Sequence, residues 1–259
     1  MQLHDLVAAL DAYVDPYQIP DFAKTGLQVE SESSADVIRV ALGVSANVDL
    51  FRDAAAWGAN LVITHHGLFW DSEDPDNDPA RRYDETRATA LRHHGLSLLA
   101  YHLPLDLHPE VGNNVEIARR LGLDVVSHDF GDLPDTDAKV GVIARADPPI
   151  SIEDLLDRCG RVFGQPPAVI AAGPHQIASM AIISGGGAGE IYQAIERGVD
   201  AYLTGEGREW APAVAREAGL TFIAAGHHAS EVFGVQALGR WIEAQFPVET
   251  RFFPQPNPF

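Results

Sequence analysis

Val37–Gly67 reads VIRVALGVSANVDLFRDAAAWGANLVITHHG. An apolar run of strand length over Val37–Val44 is followed by helical periodicity over Val48–Trp57, which stops near Gly58, and by a second apolar run over Leu61–Thr64. Upstream, Leu3, Leu6, Val7 and Leu10 begin an amphipathic helix; downstream come a helix at Tyr83–His94, a strand at Leu96–Tyr101 and a helix at Asn114–Leu121. The second half repeats the habit with strand Lys139–Ala144, helix Ile152–Phe163, strands Val169–Ala171 and Met180–Ser184, and helix Glu190–Arg197. Strand Ala201–Thr204, helix Ala211–Ala218, strand Phe222–Ala225 and helix Glu231–Ala244 complete it. This alternation predicts the α/β class: two similar α/β lobes built on mostly parallel sheets, with a metal site between them.

Phe130–Asp137, with Gly131, Pro134 and its aspartates, reads as a linker, which sets the lobes at 1–128 and 138–259 with residues 129–137 between them. A second acidic segment, Asp71–Pro79, follows the first histidine pair. It reads as a solvated surface loop or, more sharply, as a flap over the site.

The chain has 259 residues, 46% of them hydrophobic, which is ordinary for a globular protein. No run approaches the roughly 18 apolar residues of a membrane span. The first residues lack the basic segment and long apolar stretch of a signal peptide, so a cytoplasmic location is expected. Cys159 is the only cysteine, which excludes an intrachain disulfide and a thiolate zinc finger. The formal charge is −19, and Lys24 and Lys139 are the only lysines. Such a surface repels polyanions and argues against binding a nucleic-acid polymer, which needs clustered Lys and Arg. It suits a halophilic cytoplasm, where the Debye length is about 3 Å at 1 M salt and self-repulsion is screened.

Chemistry concentrates in the histidines. His65 and His66 end one apolar run, Asp106 follows another in Tyr101-His102-Leu103-Pro104-Leu105-Asp106, and His227 and His228 open Gly226-His227-His228-Ala229-Ser230-Glu231. Neighbouring side chains at a strand end diverge, so two consecutive imidazoles rarely chelate one ion, but they can serve two ions roughly 3.5–4 Å apart. His227 and Glu231 are four residues apart, which stacks them on one face if the segment is helical, and Glu231 then bridges both ions. Pro104 favours a first helical turn that sets Asp106 just beyond a strand's carboxyl end, where ligand sites of α/β sheets gather. Two divalent cations against Asp106 and Glu231 leave a formal excess of two positive charges, which favours a small anionic substrate.

Each histidine also has a plainer reading. His65, His66 or His227 taken singly is as consistent with a structural role as with ligation, and their joint placement favours metal. His102 and His228 neighbour proposed ligands; each can orient one, carry a proton as a catalytic group, or serve as scaffold. His93 and His94 close a helix and read as dipole partners. His4, His108, His128 and His175 are isolated and read as surface or loop residues. Ser184–Gly189, SGGGAG, lacks the Lys of a phosphate loop and reads as a tight turn.

The motifs THHGLFW, YHLPLDLHPEVGNN, ISGGGAGEIYQAIERGVDAYLTGE and AAGHHASEVFG, with PNPF at the end, resemble the Nif-three-like dinuclear metal-centre hexameric proteins, often labelled GTP cyclohydrolase 1 type 2 homologues. The resemblance spans nearly the whole chain. It implies that His65, His66, Asp106, His227 and Glu231 are ligands to two divalent metal ions per subunit, and that the protein is a toroidal homohexamer. Ala23–Val29 and Gly43 depart from the family's usual stretches near the N-terminal lobe, which bears on substrate contacts there. Mixed imidazole and carboxylate ligands suit Zn, Fe, Mn, Co or Ni. Two function classes follow: a metal-dependent hydrolase of a small anionic, nucleotide-like substrate, or a metal-binding or metal-delivery protein without catalysis.

Overall fold

The computed structural model describes residues 1–32, 36–71, 79–134 and 136–258. Among them the elements begin α1 (Leu3–Val14), β1 (Gly26–Val29), β2 (Arg39–Ser45), α2 (Val48–Trp57), β3 (Leu61–His66), α3 (Pro79–His93), β4 (Ser97–Ala100), α4 (Leu103–Asp106) and α5 (Asn113–Leu121). They continue β5 (Asp124–Asp132), β6 (Lys139–Ser151), α6 (Ile152–Phe163), β7 (Ala168–Ile170), β8 (Gln176–Ile182), α7 (Ile191–Glu196), β9 (Ala201–Thr204), α8 (Ala211–Ala218), β10 (Thr221–Ala224), α9 (His227–Gln245) and β11 (Glu249–Phe252). None of the helices described is long and apolar enough to cross a membrane. The interior of the acidic segment Asp71–Pro79, residues 72–78, lies outside the described residues.

The chain divides into two compact units, Met1–Leu105 with Gly234–Pro256, and Asp106–Phe233 with Asn257–Phe259. The division expected at 129–137 falls elsewhere because β5 and β6 pair antiparallel across that stretch, Phe130 opposite Gly141 and Asp132 opposite Lys139. A polar turn that closes a hairpin has the same composition as a linker.

In the first unit the sheet order is β1-β4-β3-β2-β11, with only the β1–β4 pairing antiparallel. Its central strands are apolar because they are covered on both faces: Val40, Ala41, Leu61, Val62, Ile63, Leu98 and Leu99 are fully buried. Between β2 and β3, the Asn47 side chain caps α2 by accepting the Leu50 N–H at 2.9 Å, a contact worth about 1 kcal/mol. Gly58 ends α2 in the left-handed conformation at φ 82°. Leu50, Phe51 and Ala54 form the buried face of α2, and each of the two large side chains contributes roughly 1.5–3 kcal/mol by leaving water. Gly43 lets this helix settle, since a Cβ there would meet Leu50 Cδ2 at 2.5 Å. β11 joins parallel to β2, and Arg39 donates to Glu249 at 3.0 Å.

The second unit has the order β5-β6-β8-β9-β10-β7, with β8–β9 and β9–β10 parallel and the flanking pairings antiparallel. Over both sheets five of nine pairings are parallel, so the α/β class with mostly parallel strands holds. α6 starts on the Ser151 side chain, which accepts the Asp154 N–H at 3.1 Å. It buries Leu155, Cys159 and Phe163, one helical turn apart, against Ile117, Met180 and Phe233. Burial in this core pushes the Cys159 thiol up to about 12.

Candidate metal centre

The functional side chains stand at the carboxyl ends of the parallel strands, as ligand sites of α/β sheets do. In the first unit β3 runs two residues further than its apolar pattern, because Ser45 of β2 pairs with His66. His65 and His66 are therefore the last residues of the strand itself. His102 stands two residues beyond β4. The three rings lie with centroids 4.7, 5.0 and 5.4 Å apart, and one nitrogen from each falls within 4.8 Å of the others.

Two of these rings have their tautomer set by an acceptor. His65 Nδ1 donates to the Tyr101 carbonyl at 3.0 Å, and since a carbonyl only accepts, the neutral ring keeps its lone pair on Nε2. His102 Nδ1 donates to Asp21 at 2.9 Å. Asp21 also accepts the backbone N–H groups of Ala23 and Leu103, each at 2.9 Å. Burial pushes the Asp21 carboxyl up, but His102 and these donors outweigh it and hold the group below the usual carboxylate range. His66 Nδ1 lies 3.3 Å from the Ser45 hydroxyl. Phe22 and Trp70 pack edge-on to His102, at centroid distances of 5.0 and 5.2 Å.

In the second unit α9 begins at His227, four residues earlier than its periodicity announces. That places Glu231 one turn on, with Oε1 at 3.2 Å from His227 Nε2, while Glu206 Oε1 lies 2.6 Å from Nδ1. Glu231 foremost, and Glu206 with it, raise the His227 imidazole to about 9 against the opposing effect of burial. Gly185, at φ 63°, presses its backbone on this pair: a Cβ there would sit 2.2 Å from Glu231 Oε1 and 3.2 Å from His227 Nε2. Its N–H donates to Ser230 Oγ at 2.9 Å.

Asp106, buried at the end of α4, accepts from Asn113 at 2.8 Å and Ser184 at 3.2 Å. Asn114 ties the same turn together, accepting the Ser184 N–H at 2.7 Å and donating to the Val140 carbonyl at 2.6 Å. Asp106 and Glu231 thus flank the Ser184–Gly185 turn. His228 Nδ1 is buried without a hydrogen-bond partner among the described residues, and burial holds its imidazole below the usual histidine range.

The donor set fits a divalent cation. A buried carboxylate shares His227 with a second carboxylate, and a proton on that ring is the neutralising charge that a metal ion would replace. Imidazole nitrogen and carboxylate oxygen without sulfur are the ligands of borderline divalent ions. The expected turn at Ser184–Gly189 is a tight one, continued by a short 3-10 helix at Ala188–Glu190. His93 ends α3. His4 and His175 are exposed partners of Glu30 and Glu153, and His128 is exposed. His108 is not at the surface: it is buried, and its Nδ1 accepts the N–H groups of Glu110 and Val111 at 3.2 and 3.3 Å.

Sequence reasoning missed Asp21, Glu206, Asn113, Asn114 and Ser184. Glu206 had a signal, since it stands two residues beyond β9, much as His227 stands three beyond β10. Asp21 had none, lying in a segment with no strand before it. A cavity of about 540 Å³ opens at the ends of β9 and β10, lined by Gly205, Glu206, Gly226 and His227 among others, with no Lys or Arg among the described residues of its wall.

The Duf34/NIF3 (NGG1p interacting factor 3) family model matches residues 1–258. The chain is 42% identical over 256 residues to a "GTP cyclohydrolase 1 type 2 homolog" of Pseudomonas aeruginosa, covering 99% of this chain and 98% of that one. Among solved structures it is similar to protein ybgI, of unknown function, with TM-score 0.89, 33% identity and all of both chains covered. The protein TTHA1606 of Thermus thermophilus matches with TM-score 0.85 and 34% identity, again over all of both chains. With the full-length match and the histidine and carboxylate clusters of both units in place, the chain belongs to the Duf34/NIF3 family.

Proposed function

We propose that this protein binds two divalent cations per subunit through His65, His66, Asp106, His227 and Glu231, and uses them to hydrolyse a small anionic, nucleotide-like substrate. The observation that carries the reading is the buried Glu231 carboxylate set against His227 one helical turn away, in a chain whose first unit gathers three imidazoles. When bound, such cations bring the pKa of water towards neutrality and polarise a phosphoryl or ring carbon–oxygen or carbon–nitrogen bond. The ligand chemistry suits Zn, Fe(II), Mn, Co or Ni.

The chain's own residues supply the rest. Asn113 and Ser184 orient Asp106 through its Oδ1, and Glu206 orients His227 through Nδ1. His228, whose Nδ1 is buried without a hydrogen-bond partner among the described residues, is the residue that accepts a proton. Asp21 and Glu206 also change the charge count: with them included, two dications and four carboxylates are formally neutral. An anionic substrate is then recruited by open coordination positions rather than by net field. The cavity beside Glu206 has no Lys or Arg among the described residues that line it, so it suits an uncharged part of such a molecule.

The relatives' name makes GTP the first substrate to try. Metal-loaded protein is incubated with a panel of nucleotides, GTP included, beside a His65→Ala, Glu231→Ala double variant. Turnover well above the variant supports the hydrolase; equal turnover overturns it. The resemblance also supports a ring-shaped homohexamer, for which native mass spectrometry should find six 28.0 kDa chains rather than one or two. The −19 charge supports a halophilic cytoplasm, and an unfolding temperature that does not rise between dilute buffer and molar KCl would count against it.

A further inference from the structure

Beside the imidazoles of the first unit stands an apolar lip that the chemistry above does not use. Phe22 and Trp70 come from distant segments, and a short ribbon holds them together. Ala23 and Trp70 form an isolated antiparallel bridge, the Lys24 N–H donates to the Phe69 carbonyl at 2.8 Å, and the Asp71 N–H donates to the Phe22 carbonyl at 2.7 Å. The Asp21 carboxylate pins the start of the ribbon by accepting the Ala23 and Leu103 N–H groups, each at 2.9 Å. The two aromatic rings lie 5.7 Å apart, tilted by 30°, and Trp70 stands 5.6 Å from the His66 ring. Rings that only shielded the histidines would be buried against them. Instead Phe22 is 57% and Trp70 39% exposed, and the hydrogen bonds of the ribbon keep the backbone from folding them away. Large apolar side chains held open beside a polar site mark a place where a ligand binds.

We infer that Phe22 and Trp70 are specificity-determining residues that stack a planar heteroaromatic ring of the nucleobase class, while the anionic end of the same molecule is left to the cation site. The inference rests on the nucleotide-like substrate proposed above and names the residues that read its base. Lys24 closes the ribbon by pairing with Asp71 at 2.5 Å, which leaves the lip formally neutral. It therefore selects for a flat apolar surface and not for charge. Both rings also pack edge-on to His102, at 5.0 and 5.2 Å, so their planes are fixed before a ligand arrives and little freedom is lost when one stacks. A base has a π-face to offer such rings, and truncating an aromatic stacking partner costs roughly 5- to 150-fold in affinity. Simple sugar phosphates have no such face.

The experiment measures binding to the full-length, metal-loaded protein of GMP and of ribose 5-phosphate, which lacks the base. The wild type should bind GMP roughly 5- to 150-fold more tightly. Trp70→Leu and Phe22→Leu should each bring GMP affinity down towards that of ribose 5-phosphate, whereas Trp70→Phe, which keeps a flat ring, should retain most of the preference. GMP should also quench part of the tryptophan emission, and Trp70→Phe should abolish that part. The wild-type comparison and the quenching need no leucine variant, so poor folding of one leaves the test intact. Equal affinity of the wild type for the two ligands, or a preference for GMP that survives both leucine substitutions, overturns the inference. So does a leucine variant that loses bound metal together with GMP affinity, since the rings would then be supports for the histidines. Turnover of the nucleotide panel is scored separately, so the hydrolase reading stands or falls by itself.

Discussion

The two units solve the same problem with opposite electrostatics. In the first, the histidines are oriented through Nδ1 by a carbonyl or by one buried carboxylate, and they meet one another. In the second, a single histidine is caught between two carboxylates, Glu206 at 2.6 Å and Glu231 at 3.2 Å. The difference is one of what happens without metal. The two carboxylates favour the protonated His227 ring, so a cation that binds there must displace a proton, and metal binding to the second unit is coupled to pH.

The largest break in this contrast should come from Gly185→Ala. The new Cβ would fall 2.2 Å from Glu231 Oε1 at a backbone φ of 63°, so the Glu231–His227 pair must shift. Metal titration should show the second-unit carboxylate site lost, and denaturant unfolding a cost of about 2 kcal/mol, with the first-unit histidines unaffected.

Next in size is the pH effect, measured on chelator-treated protein. The His227 pKa is raised above its ordinary 6.5 to about 9, so the stabilisation it gives is fully present below pH 6.5 and fades as pH rises through about 9. NMR titration of the ring should find this value, and Glu206→Gln should bring it down while weakening metal binding roughly 10- to 100-fold. An unshifted ring in the chelated wild type would remove the distinction between the units. With cation bound, the dependence should vanish.

The smallest effect is a control on the first prediction. Gly160 lies inside α6 with nothing within 4 Å of an added Cβ, so Gly160→Ala should raise stability by about 0.5–1 kcal/mol and leave metal binding unchanged. Two glycine substitutions in one unit thus have opposite signs, because one glycine makes room for a carboxylate and the other only loosens a helix.

Much of the fold was legible in the chain. α2, α6, β9 and α8 lie over the residues their patterns predict, since amphipathic helices and short buried strands write their period into the sequence. β1, β5 and β11 were not legible. They are edge strands or neighbours of edges, and β5 and β11 carry charged residues on exposed faces that break the apolar pattern. The boundary between the units was hidden for a related reason. β11 and the end of α9 return to the first unit from the far end of the chain, a long-range choice that no local composition records.

For the site, residue type and spacing named the histidines, Asp106 and Glu231, because few side chains ligate metals and a four-residue step on a helix is readable in one dimension. Their orientation belongs to three dimensions. Asp21 reaches His102 from 81 residues away, Ser184 reaches Asp106 from 78, and Glu206 reaches His227 from 21. Hydrogen bonds across such separations exist only once sheets and helices have packed, and they set which nitrogen of each ring is offered to a cation.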